Sequence, residues 1–122
     1  MKTKQFSFRE RANSFRFAGE GVYNFFANEH NAWIHLAATI TVFIAALCFR
    51  VSRMEMISLV IVTGFVWSAE IFNTVIEKIM DFVSPELHPE IKLIKDLAAA
   101  GVLLAAFTAV VTGAIIFIPK FF

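Results

Sequence analysis

The chain has 122 residues, of which 58% are hydrophobic, and its mean hydropathy is +0.70. Soluble domains are usually about 45–50% apolar, so this composition predicts a single membrane-embedded domain. The formal net charge of +1 argues against nucleic acid as a partner, because nucleic acid binding needs a strongly basic surface. The single cysteine, Cys48, excludes an internal disulfide.

The first predicted element covers residues 1–29, where aromatic and charged side chains are interleaved, as at Arg16 and Phe17. This pattern predicts an amphipathic helix in the membrane interface, with basic groups toward the headgroups and rings toward the acyl chains. A soluble amphipathic helix packed on a partner is the alternative. Gly19 and Gly21 are expected to break or bend the helix.

Three apolar stretches follow, at residues 31–50, 55–83 and 94–119. Each has at least the roughly 20 residues that a transmembrane helix needs. A short turn at residues 50–53 joins the first two, and a solvated loop at residues 85–94 is expected before the third. The predicted fold class is therefore an all-α membrane protein, with one N-terminal interfacial helix and three transmembrane helices in a single domain.

Basic residues are distributed unevenly between the two sides that three spans define. One side carries eight lysines and arginines and the other carries three. The positive-inside rule therefore predicts that the N-terminus and the C-terminal end of the second span face the cytoplasm. The two sets are Lys2, Lys4, Arg9, Arg11, Arg16, Lys78, Lys92 and Lys95 on the first side, and Arg50, Arg53 and Lys120 on the second.

A polar stripe runs along the second span. Glu70, Asn73, Glu77 and Asp81 fall within an arc of roughly 80° on one helix face. Ionisable groups inside a membrane are rare and are usually functional. The alternatives are that Glu70 and Asn73 join neighbouring helices by hydrogen bonds, and that Asp81 is only solvated.

Further polar groups are expected at the same membrane depth as the Asp81 end of this stripe. Glu29 precedes the first span, and Lys95 and Asp96 open the third. Carboxylates at one level can hold Mg²⁺ together with substrate phosphates, and a lysine at a helix N-terminus favours phosphate. Glu70, about 10 Å deeper than Glu77, could take a proton from a hydroxyl as a general base.

These groups are typical of phosphoryl transfer from a nucleotide to a lipid alcohol, although no G-x-x-x-x-G-K-[ST] loop is present. A proton or ion channel that uses the stripe as a relay is one alternative. A non-enzymatic membrane assembly protein is the other. Three helices cannot surround both the stripe and a nucleotide, so an oligomer is expected.

Three motifs carry a resemblance to a known family. They are Asn28-Glu29, the segment A-E-I-F-N-T-V-I-E-K-I-M-D at residues 69–81, and the segment H-P-E-I-K-L-I-K-D-L-A-A-A-G-V-L at residues 88–103. With them the chain resembles the small prokaryotic diacylglycerol kinases, which include undecaprenol kinases. The resemblance implies a homotrimer in the bacterial cytoplasmic membrane, with active sites shared between subunits. It also implies Mg²⁺, or another divalent cation, with ATP as the phosphoryl donor.

The resemblance further implies a role for each matching residue. Glu70 is the expected general base, and Glu29 and Glu77 are the expected metal ligands. The S-P-E-x-H-P and N-E-x-N-x-x-I-H features favour the undecaprenol kinase branch over diacylglycerol kinases. The expected nucleotide contacts are Phe17, Glu29, Asn73, Glu77, Asp81, Glu86, His88, Lys95 and Asp96, and the expected lipid contacts are Glu70, His35 and Ala99.

Overall fold

The computed structural model describes residues 5–86 and 88–122 of the chain, and these residues are almost entirely helical. Three of the helices are long and apolar enough to cross a membrane. The predicted all-α class, with three spans after an N-terminal helix, is therefore confirmed. The elements are α1 (Phe8–Asn28), α2 (His30–Cys48), α3 (Arg53–Val83), α4 (Pro89–Phe117) and a 3₁₀ helix (Ile118–Phe121).

The chain divides into two compact units, Met1–Ala37 and Ala38–Phe122, which are described in turn. Residues 1–4 of the predicted interfacial segment lie outside the described part of the chain. For α1 as a whole, the placement in the membrane interface stays a prediction.

In the first unit, α1 continues through Gly19 and Gly21, so the expected break is wrong. A glycine inside a helix costs only about 1 kcal/mol relative to alanine, which the rest of a long helix can offset. The helix ends at Glu29, whose backbone N–H donates to the carbonyl of Phe25 at 3.0 Å. Directly after this end, the Trp33 indole N–H donates to the carbonyl of Phe26 at 2.9 Å, which fixes the turn into α2.

In the second unit, α3 and α4 lie side by side. An ion pair joins them at one end, between Asp81 and Lys95, and another joins Glu55 of α3 to Lys120 of the 3₁₀ helix at the other. The two helices therefore run antiparallel. A buried core beside the second ion pair takes one residue from each span, namely Ala46, Leu59 and Ile116.

Two helices begin before the predicted spans that they contain, and each beginning has a capping residue. A reciprocal capping box starts α3 at Arg53 rather than at residue 55: the Ser52 hydroxyl accepts from the N–H of Glu55 at 3.1 Å, and the Glu55 carboxylate accepts from the N–H of Ser52 at 2.9 Å. Helix α4 starts at Pro89 rather than at residue 94. A proline suits the first helical position, because the N–H that it lacks would have no helical partner there.

The first span was predicted to end at residue 50, whereas α2 ends at Cys48. The N–H of Val51 donates to the carbonyl of Ala46 at 3.2 Å, and that of Arg50 donates to the carbonyl of Leu47 at 3.3 Å. These two bonds form a Schellman motif, which needs a left-handed residue at its centre. Arg50 holds that position with φ of 53°, a conformation that favours glycine.

We therefore expect Arg50→Gly to stabilise the protein by about 0.5–1 kcal/mol, because glycine removes the steric cost of the left-handed conformation. The free energy of unfolding in detergent, followed by circular dichroism, measures the effect. Arg53→Gly is the matched control, because Arg53 is the first helical residue of α3. Glycine is unfavourable in a helix, so this variant should be less stable than the wild type or equally stable. A loss of stability in Arg50→Gly would contradict the prediction.

Candidate active site

One face of α3 brings together the polar groups of the predicted stripe. Glu70 and Thr74 are buried, with 6% and 8% of their surface exposed, although both lie on a helix that is apolar overall. Asn73 and Glu77 are half-buried, and the Asn73 amide nitrogen donates to a Glu77 carboxylate oxygen at 3.4 Å. Within one chain the stripe is thus buried at Glu70 and becomes exposed toward Asp81.

At the end of this face, α3 meets α4 through a charged contact. The Lys95 ammonium donates to the Asp81 carboxylate at 2.5 Å. The alternative that Asp81 is only solvated is therefore wrong. The expectation that Lys95 opens its helix is also wrong, because α4 begins six residues earlier at Pro89. Asp96, the next residue, accepts from Lys92 one turn before it at 2.6 Å.

The segment between α3 and α4 contributes the cap of α4. The Nδ1 atom of His88 accepts from the N–H of Glu90 at 3.1 Å, so this imidazole nitrogen has a partner within the chain. Glu86 is exposed in the same segment. Ala99 is exposed on α4, one turn after Lys95. The ligand contacts of these residues stay predictions.

Three further predicted site residues belong to the first unit. Phe17 is exposed on α1, with the Arg16 guanidinium 5.1 Å from the centre of its ring. Glu29 is half-buried at the turn between α1 and α2, and His35 is half-buried on α2. Because Glu29 and Glu77 belong to different units, their pairing in one metal site stays a prediction.

The groups around Glu77 fit a divalent cation by their chemistry. The Asn73 side-chain oxygen is buried without a hydrogen-bond partner among residues 5–86 and 88–122, and the nitrogen of the same amide contacts the Glu77 carboxylate. Carboxylate and amide oxygens are ligands for hard cations, and Mg²⁺ commonly takes one or two carboxylates together with phosphates. Within the described residues there is no cluster of three acidic, histidine or cysteine side chains that could hold a metal on its own.

One contact of this face is not indicated by the sequence. The Trp67 indole N–H donates to the Thr39 hydroxyl at 2.9 Å, which joins α3 to α2. Trp67 lies 60° from Glu70 around the helix, so it belongs to the same face. Helical spacing from Glu70 could have found it, but an indole inside an apolar run resembles ordinary core.

Comparison with known proteins decides the family. A family model described as prokaryotic diacylglycerol kinase matches residues 16–117, which include the whole α3 face. The chain belongs to the prokaryotic diacylglycerol kinase family. The resemblance noted in the sequence is therefore confirmed, and the protein is a lipid kinase of the diacylglycerol or undecaprenol kinase type.

Two relatives support this family assignment. An undecaprenol kinase of Bacillus subtilis is 34% identical over 107 residues, which are 88% of this chain and 87% of the relative. A diacylglycerol kinase of Synechocystis is 35% identical over 107 residues, which are 87% of this chain and 61% of the relative. Membership of this family favours the kinase prediction for the chain over the ion channel and the assembly protein. An ATP-dependent reaction on a membrane lipid, in a multi-pass protein, follows from the family.

Proposed function

We propose that this kinase transfers the γ-phosphoryl group of ATP to the terminal hydroxyl of undecaprenol, with Glu70 as the general base. The burial of the Glu70 carboxylate on a membrane-spanning helix carries this proposal. Ionisable groups on membrane-spanning helices are rare and are usually functional. Asn73, Glu77 and the Asp81–Lys95 contact lie between Glu70 and one end of α3, where a nucleotide could enter from water.

In the proposed step, the hydroxyl oxygen of the lipid attacks the γ-phosphorus and its proton passes to the Glu70 carboxylate. The bond between the γ-phosphorus and the bridging oxygen breaks, and ADP leaves with that electron pair. A positioned base of this kind typically contributes about 10²–10⁴-fold to a rate. Most of the remaining acceleration comes from holding the reactants in line and neutralising phosphate charge.

The second unit offers Lys95 as the cation for the phosphates. Its ammonium donates to the Asp81 carboxylate, so it is directed from α4 toward α3. Glu29 and Glu77 would hold Mg²⁺, which when bound neutralises charge on the phosphates. The remaining proposed nucleotide contacts, taken from the family resemblance, are Phe17, Asn73, Asp81, Glu86, His88 and Asp96.

His35 and Ala99 are the proposed contacts to the lipid, also from the family resemblance. Undecaprenol is preferred as acceptor because the motifs around Pro85 and Glu29 favour that branch, and the Bacillus subtilis relative carries that name. Diacylglycerol is the second candidate, because the Synechocystis relative is named for it. Both acceptors present one primary hydroxyl at the membrane surface.

We further propose a homotrimer in the bacterial cytoplasmic membrane, with the N-terminus and the active site on the cytoplasmic side. Within one chain, Asn73 and Glu77 remain partly exposed on a span where hydrocarbon cannot satisfy them. A neighbouring copy that covers them would complete the site. The excess of basic residues on that side of the chain supports the orientation.

The decisive experiment is phosphate transfer from labelled ATP to undecaprenol and to diacylglycerol, by the purified protein in detergent with Mg²⁺. We expect labelled undecaprenyl phosphate at a kcat/KM at least tenfold above that for diacylglycerol. Inverted membrane vesicles should use added ATP, and right-side-out vesicles should not. Light scattering of the same detergent sample should give the mass of three chains.

Each component of the proposal has its own contrary result. Preference for diacylglycerol would overturn the acceptor, and use of ATP by right-side-out vesicles alone would overturn the orientation. A fully active monomer would overturn the trimer. Absence of transfer to either lipid would contradict the proposed reaction.

A further inference from the structure

The Thr39–Trp67 hydrogen bond is a polar contact between two membrane-spanning helices. The indole N–H of Trp67 lies 2.9 Å from the Thr39 hydroxyl oxygen, and both side chains are partly buried. Thr39 lies in the middle of α2, and Trp67 lies near the middle of α3. Hydrocarbon cannot replace this hydrogen bond, so separating the pair costs free energy. The contact therefore opposes sliding or rotation of α3 against α2.

The position of Trp67 ties this contact to Glu70. Three residues separate them along α3, which is a rise of about 4.5 Å and a rotation of 60°. Side chains on a helix lean toward its N-terminus, so the Glu70 carboxylate leans over the turn that carries Trp67. A slip of α3 by one residue would turn Glu70 by about 100°. A contact that fixes the position of Trp67 against α2 therefore also fixes the orientation of the Glu70 carboxylate.

We propose that Thr39 and Trp67 are positioning residues for Glu70, and that their hydrogen bond holds its carboxylate at the depth of the acceptor hydroxyl. This inference rests on the proposed role of Glu70 as general base. In this proposal α2 contributes to proton transfer by positioning α3, and it does not contribute to nucleotide binding. The rate of such a step depends strongly on the position of the reacting groups, so a misplacement of about 1 Å can lower it by up to about 10²-fold.

The pair can be broken from either side, and from the Thr39 side with little change in volume. Thr39→Val replaces the acceptor hydroxyl by a methyl group, and Trp67→Phe removes the indole N–H. We expect each change to lower kcat for lipid phosphorylation about tenfold, with the KM for ATP unchanged. The double variant should be no slower than the slower single variant, because both changes remove the same bond. Thr39→Ser, which keeps a hydroxyl, should restore most of the rate.

A control variant matches the threonine change chemically. Thr112→Val removes a hydroxyl that donates to the Thr108 carbonyl within α4. It should keep the wild-type kcat for the lipid. Circular dichroism and gel filtration of every variant establish that its fold and assembly are retained. If Trp67→Phe fails to fold, Thr39→Val and Thr39→Ser carry the test.

The result that overturns this inference is distinct from the failure of the proposed function. If wild-type protein phosphorylates lipid and Thr39→Val keeps its kcat, the positioning role is wrong. A rise in the KM for ATP equal to the fall in kcat would also overturn it, because the pair would then act on the nucleotide. If wild-type protein phosphorylates no lipid, the proposed reaction fails first.

Discussion

Glu70→Gln should lower the rate of lipid phosphorylation by about 10²–10⁴-fold, because the amide has the shape of the carboxylate but cannot accept the proton. Glu70 is buried, with 6% of its surface exposed, so the substitution must preserve volume to leave the α3 face intact. Binding of an ATP analogue should stay within a few-fold of wild type, since Glu70 lies about 10 Å along the helix from Glu77. Steady-state phosphorylation of lipid, with analogue binding measured on the same sample, separates the two effects.

Glu20→Gln provides the control for this substitution. Glu20 is on α1 with 62% of its side chain exposed, and the chemical change is the same. Its turnover should match that of the wild type. Near wild-type turnover in Glu70→Gln would exclude Glu70 as the base. Loss of nucleotide binding together with turnover would instead indicate that the substitution damaged the fold of the site.

Glu77→Gln is expected to raise the Mg²⁺ concentration needed for half-maximal activity by about 10–100-fold. Removing one charged ligand weakens a site that holds its cation through few protein groups. The glutamine oxygen can still accept from Asn73, so the 3.4 Å contact that orients residue 77 should remain. The measurement is a titration of activity with Mg²⁺ at saturating ATP and lipid. The apparent KM for the lipid should not change.

Glu90→Gln is the matched control for the metal site, because Glu90 is exposed in the first turn of α4. Its Mg²⁺ dependence should match that of the wild type. An unchanged Mg²⁺ dependence in Glu77→Gln would remove Glu77 from the metal site. The result would leave the role of Glu70 untouched, because the two variants test different steps.

The helices and the stripe could be predicted because they depend on local chemistry. Apolar length predicted the three spans, and the 100° rotation per residue predicted that Glu70, Asn73 and Glu77 share a face. Helix ends were predicted less well. Pro89 was interpreted as part of a loop, although a proline preceded by a capping residue is a favourable start for a helix.

The effect of the two glycines on α1 was predicted to be larger than it is. Gly19 and Gly21 were given the effect of helix breakers, but each costs only about 1 kcal/mol, and α1 is continuous across both. The sequence places Arg50 at the end of the first span, but it does not indicate the left-handed conformation, preferred by glycine, that Arg50 adopts there. In both cases the surrounding helix, rather than the residue's own preference, decided the backbone conformation.

The sequence by itself determined the class of this protein: its hydropathy requires a membrane, and the spacing of its carboxylates requires one polar helix face. Only the tertiary structure decided which groups on that face have partners. The antiparallel packing of α3 and α4 brings Lys95 to Asp81, fourteen residues away along the chain. The packing of α2 against α3 brings Thr39 to Trp67. Such contacts depend on the register between helices, which the periodicity of a single helix cannot specify.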